Sequence, residues 1–99
     1  MLIYITIGNS DDKLRQQEWA QYCRDVDKAL RGERWTRHGY WHSLPDSTWQ
    51  NAIWCIEGDI DFYEVKRNLR GIAAKYRQDS IAWTQAPFTE FLTPRKEAD

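Results

Sequence analysis

The chain has 99 residues, with 14 Lys plus Arg against 15 Asp plus Glu and a formal net charge of −1. That length closes one core and is too short for two, and a 41% hydrophobic content that includes six Trp, five Tyr and three Phe offsets the entropy of ordering and excludes general disorder. Near-neutral charge excludes an overall field for nucleic acid or anionic membrane, and no apolar run approaches the roughly 20 residues of a membrane span.

Leu2 to Ile7 (LIYITI) is rich in β-branched and aromatic residues and stops at the turn formers Gly8-Asn9-Ser10-Asp11-Asp12, which predicts a first strand and its exit. With no basic segment and cleavable apolar stretch ahead of that strand, the expected location is the cytoplasm. From about Gln16 the apolar positions Trp19, Tyr22, Cys23, Val26, Ala29 and Leu30 follow the i, i+3, i+4, i+7 series of an amphipathic helix, with Gly32 as its stop. Arg34 to Leu44 and Asn51 to Glu57 read as two strands of a hairpin around the turn Pro45-Asp46-Ser47. Asp61 and Glu64 have the spacing of an N-terminal capping box, and Phe62, Val65, Leu69, Ile72, Ala73 and Tyr76 form the stripe of a second helix. Ser80 to Gln85 is the last strand, before Pro87 and Pro94.

The order β-α-β-β-α-β predicts a ferredoxin-like α+β fold, a four-stranded antiparallel sheet with two helices on one face and strands one and three at its centre. One domain over residues 1–92 is expected, with a polar tail over 93–99.

Alternation along the strands puts Ile3, Ile5 and Ile7 beneath the helices and Leu2, Tyr4 and Thr6 on the other face. Grouping Ile53 and Cys55 with the isoleucines turns Ala52, Trp54 and Ile56 outward. The expected core is then Ile3, Ile5, Ile7, Trp19, Cys23, Val26, Ile53, Cys55, Leu69, Ile72 and Ala73. A helix-free face bearing Tyr4, Trp54 and Ile56, joined by Trp41, is more apolar than water tolerates. Three coverings would satisfy it: a second copy, the tail folding back through Phe88, Phe91 and Leu92, or a ligand or partner.

Cys23 and Cys55 lie in apolar patterns without zinc spacing and read as buried free thiols. His38 and His42 are four residues apart, which along a regular strand separates same-face side chains by about 13 Å, so no metal site is expected. Asp11, Asp12, Asp46 and the run Gln78-Asp79-Ser80 are scattered and better explained as turn or cap residues, so no catalytic residue is assigned. Neither a nucleophile elbow nor a phosphate-binding or dinucleotide glycine loop is present, and no cofactor is expected. Tyr4 and Trp54 on the central strands would suit base stacking, yet the glycine-and-aromatic signature of RNA-recognition modules is missing and the charge is wrong. Lys66, Arg67, Arg70 and Arg77 make a basic helix surface, which a solvated exterior explains.

The segments IYITIGNSDDKL, WQNAIWCIE, YRQDSIAW and TEFL are similar to a set of small uncharacterised proteins of actinobacteria and their phages, over Ile3 to Leu92. The resemblance implies a context, a bacterial cytoplasm or a phage-infected cell, and no activity or catalytic residue. The expected function is therefore a non-enzymatic interaction module that binds a protein partner or itself through Tyr4, Trp41, Trp54 and Ile56, in that context a modulator of a host protein. The rival reading is a small dimeric enzyme or ligand-binding protein with a pocket lined by Trp41, Trp54 and His42. A third is a single-stranded nucleic-acid binder.

Overall fold

In the computed structural model, which describes residues 1–44 and 46–95, the elements are β1 (Leu2–Gly8), α1 (Gln16–Ala29), β2 (Trp35–His42), β3 (Asn51–Gly58), α2 (Phe62–Lys75) and β4 (Ala82–Ala86). Pro45 of the expected turn and residues 96–99 of the expected polar tail lie outside the described residues. The strands form one antiparallel sheet in the order β2-β3-β1-β4, the ferredoxin-like α+β arrangement expected from the sequence. No helix among the described residues is long and apolar enough to cross a membrane.

Each element follows from its local chemistry. In β1 the side chains of Ile3, Ile5 and Ile7 are buried and the alternate ones half-buried, the period of a strand covered on one face. On α1, Tyr22 and Val26, continued four residues on by Leu30 at its C-cap, join those isoleucines, and on α2 Val65 and Leu69 do the same. Asp61 caps α2 by accepting the Glu64 N–H at 3.1 Å, half of the expected capping box. The helices are tied by Asp25, which accepts the Tyr76 hydroxyl at 2.6 Å and the Lys75 ammonium at 3.1 Å.

The chain turns after β1 at the expected turn formers, and of the two roles open to Asp11 and Asp12 they fill the turn and not the cap. Asp11 and Asp12 do not cap α1; they form a short 3-10 turn with Ser10, at φ of 52° and 54°, and α1 begins beyond them with the Glu18 carboxylate accepting the Arg15 N–H at 3.4 Å. The left-handed backbone is tolerable for Asp because its short side chain bonds locally. Asn9 fixes the turn: its amide exchanges two 2.9 Å bonds with the Leu14 backbone and donates to Gln50 Oε1 at 2.6 Å.

The parity of β3 is the reverse of that expected. Ile3 lies opposite Ile56, Ile5 opposite Trp54 and Ile7 opposite Ala52, and directly opposed residues share a face. Trp54 and Ile56, expected on the helix-free face, therefore point into the core, and both are 0% exposed. Ile53 and Cys55, expected beneath the helices, point away from them opposite Thr6 and Tyr4. The reason lies in the partners available to an indole. Beneath α1 the Trp54 Nε1–H donates to Asp27 Oδ1 at 3.0 Å and the ring stacks on Tyr40 with centroids 4.8 Å apart. A buried indole needs such an acceptor. Of the other expected core residues, Trp19, Cys23 and Ile72 are half-buried and pack at its margin.

In β2 the register slips between Arg37 and Gly39, a bulge that inserts one residue. Arg37 turns toward α1 and pairs with Asp27, while His38 reaches Glu57 across the helix-free face at 2.9 Å. Past the bulge Tyr40 and His42 lie on the helix side, opposite Trp54 and Ala52, and Trp41 lies on the helix-free side, opposite Ile53.

Candidate functional site

The helix-free face is built from Tyr4 on β1, Ile53 and Cys55 on β3, and Gly39 and Trp41 on β2. Small side chains of β4, Ala82 and Thr84, continue it beside Thr6 and Tyr4. Trp41 is its most prominent member, 55% exposed. Its ring leans back over Gly39: a Cβ at that glycine would stand 2.6 Å from the indole, far inside contact distance. Gly39 thus makes the seat on which Trp41 lies. It is absent from the residues expected at the site, although a glycine two residues before an outward Trp on a strand is the signal for a ring laid against backbone.

Cys55 is 3% exposed although no helix covers it. Its neighbours across the face are Tyr4 and Gly39, the latter beneath the Trp41 ring. The Cys55 thiol beside Tyr4 raises the phenol above its ordinary pKa, so Tyr4 stays a neutral hydroxyl. At the rim, the hydrogen bond from His38 holds the Glu57 carboxyl below the usual range, with the N-terminal ammonium 3.6 Å away. The result is a neutral aromatic centre with a charged margin, the composition of a protein interface.

The residues assigned from the sequence are only partly brought together. Tyr4 and Trp41 share the helix-free face, whereas Trp54 and Ile56 lie on the opposite side of the sheet. His42 is on the helix side with its Nδ1 2.9 Å from the Ser43 carbonyl oxygen, so Trp41, Trp54 and His42 cannot line one pocket. The bulge also places His38 and His42 on opposite faces. Among the described residues no three His, Cys, Asp or Glu side chains converge as metal ligands would. The tail does not cover the face: Phe88, Phe91 and Leu92 are 81%, 87% and 84% exposed.

A polar cluster on the helix side contains Cys23, Asp27, Arg31 and Tyr40. Burial pushes the Cys23 thiol up to about 11, which keeps it protonated and poorly nucleophilic near neutral pH. Burial also pushes the Asp27 carboxyl up, but the Trp54 indole and the Arg37 and Arg31 guanidinium groups outweigh it and hold the carboxyl below the ordinary value. Neither group is poised for proton transfer at neutral pH. Both thiols are free, and a bulky thiol reagent is expected to label the native chain slowly; stoichiometric labelling within minutes without denaturant would refute their placement.

The chain matches no protein-family model, and no curated protein matches it significantly.

Proposed function

We propose that the chain is a small non-enzymatic interaction module that binds a protein partner through the helix-free sheet face, with Trp41 as the anchor. The observation that carries this reading is Trp41, more than half exposed and seated on Gly39 in a neutral face. Trp is the residue type that most often dominates interface energetics, and a pre-seated ring loses little freedom on binding. In the context implied by the resemblance of its segments, the partner would be a host protein. Nucleic-acid stacking has less support, because the outward residues of β3 are Ile53 and Cys55 and provide no aromatic platform on that central strand.

Capture of a partner by wild-type chain and by Trp41→Ala, paired with thermal unfolding of both, tests the proposal. Trp41→Ala is expected to weaken binding by about 2 kcal/mol or more and to leave the unfolding temperature nearly unchanged. Gly39→Ala should weaken the same partner by unseating the ring. Full retention of the partner by both variants would sink the assignment.

A further inference from the structure

The sheet has two edges, and they are not alike. β2 is broken by the bulge and carries Arg37 and His38, devices that discourage a further strand from adding. β4, Ala82–Ala86 (AWTQA), has no charged residue and no bulge in its pairing with β1. Beside it runs a groove of about 610 Å³ between β4 and α2, with Leu69, Ala73, Ile81 and Trp83 as its apolar floor and Lys66 and Arg70 on its wall. The Lys66 ammonium lies 5.1 Å from the centre of the Trp83 ring, and among the described residues no carboxylate pairs with Lys66 or Arg70. The one carboxylate lining the groove, Asp79, is paired with Lys13 at 3.4 Å. An open strand edge flanked by an apolar, cationic groove fits an extended peptide that alternates apolar and acidic side chains.

The chain carries such a peptide itself. Directly after β4 comes Pro87-Phe88-Thr89-Glu90-Phe91-Leu92, with no regular structure and its large apolar side chains in solvent. As a strand it would present Phe88, Glu90 and Leu92 on one side, an acid between two apolar anchors, complementary in charge and character to the groove. We infer that the segment Pro87–Leu92 of a second copy adds to the β4 edge, lays Phe88 and Leu92 on the groove floor and sets Glu90 against Lys66 and Arg70. β4 ends at Ala86 and Pro87 breaks the strand, so the segment is not bound to the alternation of β4 and can turn Phe88, Glu90 and Leu92 to the helix side where Trp83 lies. Because it follows the strand it pairs with, exchange between two copies is reciprocal and closes as a two-fold dimer. Two exchanged tails, each burying Phe88 at about 150–250 Å² and Leu92 against a groove that loses a comparable area, reach the order of 1,000 Å² that a specific interface needs. This surface is distinct from the helix-free face around Trp41.

The test is the solution mass of the full chain up to about 100 µM, with thermal unfolding as the control for folding. A dimer is expected whose dissociation constant rises about tenfold or more for Glu90→Lys. The paired change Lys66→Glu with Arg70→Glu should weaken it similarly, and adding Glu90→Lys to that pair should restore it. Glu90 lies outside the sheet, so its variant reports on association even if the groove variant fails to fold. A monomer throughout that range would overturn the inference. So would a dimer unchanged by Glu90→Lys and lost with Trp41→Ala, which would place self-association on the helix-free face instead.

Discussion

Trp54→Ala is expected to cost about 3–5 kcal/mol of folding stability, a large share of the roughly 5–15 kcal/mol that holds such a domain together. Trp54 is among the largest fully buried side chains, and its ring fills the space between Ile5 on the neighbouring strand and Tyr40, on which it stacks. Truncation removes that apolar area from the core, leaves a cavity that two sheet strands and a helix cannot close, and strands the Asp27 acceptor. The measurement is the urea midpoint at unchanged slope. A loss below about 1 kcal/mol would mean that Trp54 does not lie beneath α1, and partner capture by the variant should fall only in proportion to its unfolded fraction.

Asp27→Ala is the second large effect, about 2–4 kcal/mol, because it removes the acceptor of a buried indole N–H and the partner of a partly buried guanidinium. The same contacts make the contribution depend on pH in a definite direction. Burial raises the folded Asp27 carboxyl, yet the Trp54 and Arg37 donors outweigh it, so the group titrates below its unfolded value of about 3.9. Its stabilisation is therefore complete above the unfolded pKa and is lost as pH falls through the depressed folded one. The stability gap between wild type and Asp27→Asn should be constant from neutral pH down to the ordinary carboxylate range and shrink in stronger acid. A gap that grows on acidification would contradict the ion-paired state.

The element order was legible because the helical stripes and the alternation of β1 are unambiguous, and Asp61 marks the start of α2. The failure at β3 has a specific cause. Ala52, Ile53, Trp54, Cys55 and Ile56 are apolar residues in an unbroken row on a central strand, so either parity gives an apolar face, and a slip of one residue inverts every side chain. What decides the parity is an acceptor on another element: Asp27 lies 27 positions from Trp54, and no local window contains both. The bulge was hidden for a similar reason. Nothing in Trp35 to His42 marks an inserted residue except Gly39, and without the slip His38 and His42 would share a face. Of the candidate site, Tyr4 and Trp41 were legible from alternation and aromatic character, while Gly39 and Cys55 entered only with the pairing of the strands.

The sheet order also governs when the domain can fold during synthesis. β1 is made before either of its neighbours, yet it lies between β3 and β4, with Leu2 paired to Ala86. Until Ala86 has left the ribosome, one side of this central strand has no partner, and the nascent chain exposes a row of unpaired backbone donors and acceptors next to Ile3, Ile5 and Ile7. Contacts between positions so far apart in sequence form slowly, because the loop between them must close first. Folding of the sheet is thus completed only once β4 has been made, and a chain stalled before β4 is the species most exposed to aggregation and proteolysis.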